Sequence, residues 1–203
     1  MSSAEEKQTA SKEDGLAADK PPAIVRCLDE LSGRRLRFPT VYADPPWRYA
    51  NVAARGAAEN HYQTMSIEEL CNLPVRDVIA DNAHLHLWTT NGHLPDAFTV
   101  MKAWGFAYKS CLIWVKPQLG MGNYWRVSHE FLLLGVRGRL PFRDKSQRSW
   151  HISRRRRHSS KPYAIRELVE RVSPGPYLEL FGRAEIPHSQ WTVFGNQVER
   201  RLI

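Results

Sequence analysis

The sequence predicts an α/β fold with a largely parallel sheet and helices on both faces. Three observations lead there. Short stretches rich in β-branched and aromatic residues alternate with stretches whose apolar residues recur at helical spacing. The apolar run "TVYAD" stops at Asp44 against Pro45 and Pro46, so a strand ends there rather than continuing. Helix punctuation falls in the gaps, with Ser66 and Glu69 spaced as a capping box and Gly105 closing an amphipathic run.

Taken in order, "AIVRCLDEL" (23–31) suits a short strand or a short helix equally. "PTVYAD" (39–44) is a strand ending at Asp44, and the Ala- and Gly-rich "NVAARGAAEN" (51–60) is a loop. A helix follows from Ile67 to about Leu73. "AHLHLWTT" (83–90) alternates as a strand, and "PDAFTVMKAW" (95–104) is a helix. Strands are predicted over 107–116 and 129–136, then a helix over 161–172 with Pro162 in its first turn. "PGPYLELFG" (174–182) gives a turn and a strand, and "QWTVFG" (190–195) a last strand. In sheets of this kind ligands bind beyond the carboxyl ends of the strands, which singles out Asp44 and the turn after Phe181.

Composition narrows the partners. Lys and Arg number 29 against 21 Asp and Glu, a formal charge of +8. Residues 137–161 alone hold ten basic residues and the single acid Asp144, a net of +9. A concentration of that kind favours a polyanion over a scattered surface charge. The first 22 residues, polar and mildly acidic, read as a disordered tail. Residues 23–203 read as one domain, with loops 51–61, 118–126 and 137–160 facing substrate. Cys27, Cys71 and Cys111 lie far apart with no C-x-x-C pair, which suits a reducing cytoplasm and no disulfide framework. No apolar run reaches the ~20 residues of a membrane helix, and no membrane partner is expected. His84 and His86 share a strand face but lack a third ligand, so no metal is expected and hydrogen-bonded histidines are the better reading.

The stretch "DPPW" (44–47) fits one demanding chemistry. An exocyclic amine on a nucleobase is planar and poorly nucleophilic. Two acceptors on its N–H bonds would draw it toward tetrahedral geometry and stabilise the charge that grows on it. Asp44 is one acceptor and the Pro45 carbonyl the other, aimed by the fixed φ of proline. Trp47 offers a face for the base, a contact worth about 1–3 kcal/mol. A plain structural reading stands beside this one, with a polyproline kink, a turn-capping Asp44 and a core Trp47.

Other pieces weigh against the plain reading. "ADPPW" (43–47), "YQTMSIEEL" (62–70), "LWTTNGHL" (87–94), "IWVK" (113–116), "HEFLLLGVRG" (129–138), "HSSKP" (158–162), "SPGPYLELFGR" (173–183) and "GNQ" (195–197) occur in an order that resembles the adenine-N6 methyltransferases built around the seventy-kilodalton subunit of the mRNA adenosine methyltransferase, the MT-A family, in its bacterial and phage form. The resemblance implies a Rossmann-like methyltransferase domain with circularly permuted motif order. It also implies S-adenosylmethionine as cofactor and methyl transfer to adenine N6 in nucleic acid. By resemblance, the catalytic set is Asp44, Pro45, Pro46 and Trp47. Cofactor contacts fall to Cys27, Leu28, Asp29, Asp44, Lys161, Glu179, Leu180, Phe181, Arg183, Asn196 and Gln197, with Lys161 reaching the cofactor carboxylate. Where some members carry His and Asn after the F-G-R turn, this chain has Glu185 and Ile186.

Nucleic-acid contacts are expected from Tyr49, Asn51, Arg55, Asn60, His61 and Tyr62 beside the tetrapeptide. Tyr124 and Trp125 supply a second wall, and Arg154, Arg155, Arg156 and Arg157 neutralise phosphates. DNA is the favoured substrate and RNA the alternative. A third reading, a nucleic-acid-binding partner subunit without catalysis, is opposed by the intact "DPPW". The oligomeric state stays open between monomer, homodimer and heterodimer, and the expected location is the cytoplasm or the nucleoid.

Overall fold

The structure is a computed structural model describing residues 22–34, 36–48, 64–120, 122, 124–155, 160–183, 186 and 190–195. Of the tail expected over 1–22, only Pro22 falls among them. Its carbonyl accepts from Thr192 Oγ1 at 2.7 Å. The loop expected over 51–61 lies outside them.

Eight strands form one sheet: β1 (Ile24–Val25), β2 (Phe38–Ala43), β3 (Ile79–Thr89), β4 (Ala107–Val115), β5 (His129–Arg137), β6 (Trp150–Ile152), β7 (Tyr177–Leu180) and β8 (Trp191–Phe194). Their spatial order is β1-β8-β7-β2-β3-β5-β4-β6. β5 pairs antiparallel with β3 and β4, and every other pairing is parallel. From β2 the sheet grows outward through β3, and from β7 it grows the other way through β8. The order therefore reverses between β2 and β7, which opens a crevice at their carboxyl ends. β7 comes late in the chain yet pairs with the early β2, the permuted arrangement the motif order implies.

Among the described residues four helices cover the sheet: α1 (Asp29–Ser32), α2 (Ile67–Cys71), α3 (Leu94–Ala103) and α4 (Tyr163–Val172). Alternation along β2 separates two cores. Val41 and Ala43 face a core with Leu31 of α1, Leu70 of α2, and Val100 and Met101 of α3. Tyr42 faces the other side, where Ile165 and Val169 of α4 pack on Trp88, Trp114 and Trp191. Tyr42 meets Trp88 and Trp191 edge-on at 6.5 and 6.1 Å, the favoured geometry for aromatic quadrupoles.

Local chemistry explains most boundaries. The capping box forms in full, with Glu69 N donating to Ser66 Oγ at 3.1 Å and Ser66 N to Glu69 Oε2 at 2.6 Å. The ambiguous 23–31 segment is both, a two-residue strand and then α1. Pro162 stands just outside α4 as its N-cap, at ψ 131°, rather than in its first turn. β6 was not expected, because a three-residue edge strand with Trp150 and Ile152 exposed shows no buried alternation. β3 starts four residues early, since Ile79 pairs with Phe38 while the polar Asp81 and Asn82 stay exposed. Among the described residues no helix is long and apolar enough to cross a membrane.

His84 and His86 meet at the buried Ser173 hydroxyl, each 2.9 Å from it. The Leu140 carbonyl, 3.1 Å from His84 Nε2, can only accept, so His84 carries its proton there. Ser173 then donates to His84 Nδ1 and accepts from His86 Nε2, so the neutral His84 ring is satisfied at both nitrogens. Burial pushes His86 down to about 3 and lowers His84 as well.

Unfolding returns His86 to an ordinary histidine near 6.5, so the unfolded chain binds the extra proton below that pH. Stability held above pH 6.5 is therefore lost as pH falls toward 3. Urea unfolding at pH 5 should show about 2 kcal/mol less stability from His86 alone than at pH 7.5. His86→Gln should flatten that difference, and an unchanged slope would remove His86 as its source.

Candidate active site at the switch point

The crevice is built from strand ends. Asp44 directly follows β2, and its N–H reaches the Leu180 carbonyl at the end of β7, 3.4 Å away. Its carboxylate is 28% exposed and accepts through Oδ1 from Lys161 Nζ at 2.6 Å. Lys161 stands two residues before α4 and lies 3.3 Å from Glu130 Oε2. Glu130 opens β5 and also binds Lys116, which follows β4. Because β5 runs antiparallel, its start lies level with the ends of its neighbours.

The result is a row of alternating charge: Asp44, Lys161, Glu130, Lys116. Two of its members stand over aromatic faces, Lys161 at 5.2 Å from the Trp88 centroid and Lys116 at 4.5 Å from that of Trp114. Burial alone would depress the Lys161 ammonium, but Asp44 and Glu130 outweigh it and hold it above the ordinary lysine value. Burial would likewise raise Glu130, yet Lys161 and Lys116 bring it below the usual carboxylate range. For Lys116 burial prevails and the ammonium is lowered.

The Pro-Pro turn is held tightly. Trp47 N donates to the Pro45 carbonyl at 2.9 Å, a three-residue turn, and Met65 N donates to that of Pro46 at 2.8 Å. One of the two lone pairs of the Pro45 oxygen is thus taken. Trp47 departs from its expected role. Its side chain is 6% exposed, its indole N–H reaches the Trp88 carbonyl at 3.2 Å, and its ring stacks on His93 at 5.4 Å. A ring this enclosed anchors the turn rather than offering an open face to a base.

Across the crevice, Glu179 of β7 is almost fully buried. Arg166 of α4 reaches both its oxygens through one guanidinium nitrogen, at 3.0 and 2.7 Å. Burial raises the Glu179 carboxyl, and Arg166 opposes that rise. Leu180 is fully buried in the core, while Phe181 turns the chain with φ at 66°, a left-handed conformation rare for a residue with a side chain. At Gly182 a Cβ would stand 2.3 Å from Val193, and at Gly195 one would stand 1.9 Å from the Gly182 carbonyl. Both positions must be glycine for the ends of β7 and β8 to pack this closely on each other.

The remaining expected residues divide three ways. Cys27, Leu28 and Asp29 form the turn into α1. Leu28 is core, which confines any ligand contact there to its backbone, and the Cys27 thiol donates to Asp29 at 3.3 Å. Arg183 is half-buried beyond the Phe181 turn. Tyr124 and Trp125 are 96% and 89% exposed, and Arg154 and Arg155 are exposed as well. Tyr49, Asn51, Arg55, Asn60, His61, Tyr62, Arg156, Arg157, Asn196 and Gln197 lie outside the described residues.

Lys116 and Arg166 were not assigned in advance, and Glu130 was given no charge-pairing role. One signal was available for Glu130. It shares the strand period of Leu132 and Leu134, so a carboxylate sits on a buried face and demands a partner. A cavity of about 130 Å³ lies between α4 and the sheet, lined by His86, Leu112, Leu132, Phe142 and Val169, and contains none of the residues of the charged row. Among the described residues no group of three His, Cys, Asp or Glu is placed to hold a metal.

Chemically, the crevice suits an amino-acid zwitterion, with Asp44 for an ammonium and Lys161 for a carboxylate.

The family model described as MT-A70 matches residues 38–197. The "Type II methyltransferase M.MunI" of Mycoplasma sp is 28% identical over 183 residues, covering 78% of this chain and 78% of that protein. The human "N(6)-adenosine-methyltransferase catalytic subunit METTL3" is 30% identical over 174 residues, covering 80% of this chain but 28% of that protein. The human "N(6)-adenine-specific methyltransferase METTL4" is 26% identical over 195 residues, covering 86% of this chain and 40% of that protein.

Removing one partner of a buried pair leaves the other charge uncompensated. Arg166→Met should cost about 3–5 kcal/mol by denaturant unfolding. Arg166→Met with Glu179→Leu should recover most of that, and a double variant as unstable as the single would contradict the pairing.

Proposed function

The chain belongs to the MT-A70 family, and on that premise we propose that it transfers the methyl group of S-adenosylmethionine to the exocyclic N6 amine of adenine in nucleic acid. DNA is placed first and RNA second. The relative matched over most of its own length is the type II methyltransferase, while the adenosine methyltransferase is matched over under a third. A cytoplasmic or nucleoid-associated location goes with this reading.

One observation carries the proposal: a partly exposed carboxylate fixed at the strand-order switch. Asp44 Oδ1 is taken by Lys161, which leaves Oδ2 to accept an N–H of the target amine. The second lone pair of the Pro45 carbonyl accepts the other N–H. Both acceptors are set before the substrate arrives, so no reorganisation is needed as positive charge grows on nitrogen. When bound, S-adenosylmethionine would supply an electrophilic methyl carbon, to which the amine nitrogen would bond as the carbon–sulfur bond breaks and leaves its electron pair on sulfur. Asp44 is placed to hold the proton the nitrogen then gives up.

The residues present fit the cofactor. Lys161 would meet its carboxylate and Asp44 its ammonium. The Phe181 turn at the end of β7 would take the adenosine. Arg183, Cys27, Asp29, Asn196 and Gln197 remain assigned to the same group. Glu179 serves as the floor through Arg166, and Leu180 as packing beneath. Tyr124, Trp125, Arg154 and Arg155 form the wall facing nucleic acid. The basic run and the residues beside the tetrapeptide (Tyr49, Asn51, Arg55, Asn60, His61, Tyr62, Arg156, Arg157) are assigned there too.

Labelled-methyl transfer to matched single- and double-stranded DNA and RNA tests the function and chooses the substrate. Asp44→Ala should lower the transfer rate at least about 100-fold. Retained transfer would overturn the role of Asp44. Absence of both transfer and cofactor binding in the unaltered chain would favour a non-catalytic partner subunit.

A further inference from the structure

The free edge of the sheet carries a feature that the crevice does not use. Among the described residues β6 is the last strand of the sheet and pairs with β4 alone. Trp150 and Ile152 are 46% and 55% exposed on it. Register places them on the face of Ile113 and Val115, opposite Trp114. The Arg148 guanidinium stands over the Trp150 ring at 5.1 Å.

The strand then runs toward the crevice. Ser153 N donates to the Val115 carbonyl at 3.2 Å, and Arg155 N donates to Gln118 Oε1 at 3.3 Å. These contacts bring exposed Arg154 and Arg155 against the 117–128 connection, which presents Tyr124, Trp125 and exposed Arg126. The strip is thus aromatic rings interleaved with arginines. The described residues 137–155 hold seven basic side chains and one acid.

Such a strip fits a polyanion whose flat groups are open for stacking. In a duplex the bases are paired and stacked on each other, and only phosphates would meet it. We propose that the β6 edge, centred on Trp150 and Arg148, binds a single-stranded stretch of nucleic acid flanking the target adenine. This rests on the nucleic-acid substrate of the preceding section and narrows it. A base stacks on the ring face away from Arg148, and Arg148 meets the adjacent phosphate. Four inter-strand spacings of ~4.8 Å separate β6 from β2, about 19 Å. Single-strand sites cover about 4–16 nucleotides, enough to span that distance. The strand passes round the free edge of the sheet to reach the crevice.

The test is fluorescence anisotropy with a labelled 15-nucleotide single strand and its duplex, without cofactor, over a range of salt. Trp150→Ala should weaken single-strand binding about tenfold, leave duplex binding unchanged, and keep the salt slope. Trp150→Phe should restore most of the affinity, which a misfolded edge would not. Arg148→Ala should reduce the single-strand salt slope by about 0.7. Single-strand binding by Trp150→Ala equal to the unaltered chain would overturn the proposal. So would an equal loss on strand and duplex. Methyl transfer assayed alongside separates the readings: binding as expected without transfer in the unaltered chain sinks the enzymatic reading alone, while transfer with binding indifferent to Trp150 sinks the edge site alone.

Discussion

The ion pair between Asp44 and Lys161, completed by Glu130, is the constraint on which the rest of the structure turns. Three largely buried charges are costly unless each is compensated, and here each has an opposite partner within 3.3 Å. The partners come from the end of β2, the approach to α4 and the start of β5. Satisfying them fixes how the first and last thirds of the chain meet. Lys116 extends the row and leaves it neutral overall, so the crevice holds strong local fields without a net charge. That is suited to a zwitterionic ligand and to an amine that becomes positive only during reaction.

The sheet supports this row with strand ends that are unusual in the same place. Phe181 adopts a left-handed conformation, costing about 1 kcal/mol, and Gly182 and Gly195 tolerate no Cβ. Both features fall at the carboxyl ends of β7 and β8, across from Asp44. Beneath them the Trp88, Trp114, Trp191 and Tyr42 cluster gives α4 a rigid bed and gives both lysines an aromatic face. Rigidity here matters, because acceptors aimed at a developing charge lose their value when they must move to meet it.

Much of this was legible in the sequence, for identifiable reasons. The strands and helices that bury one face declared themselves by periodicity, and the Ser66–Glu69 box announced α2 through a hydrogen-bond pattern local to four residues. Asp44 was legible because two prolines at the end of an apolar run are hard to explain otherwise. What stayed hidden was tertiary. The Lys161 partnership spans 117 positions, and nothing local pairs it with Asp44 rather than with a ligand. Trp47 was read as an open platform, but His93 from the next crossover covers it. β6 was invisible because an exposed edge strand of three residues leaves no pattern to read.

The most direct test of the central claim is a double-mutant cycle on the single-turnover rate of methyl transfer at saturating cofactor, using Asp44→Asn and Lys161→Met. If the lysine acts by holding the carboxylate, the double variant is no slower than Asp44→Asn alone. If the two losses multiply, the residues act independently and the paired geometry is not what drives the chemistry.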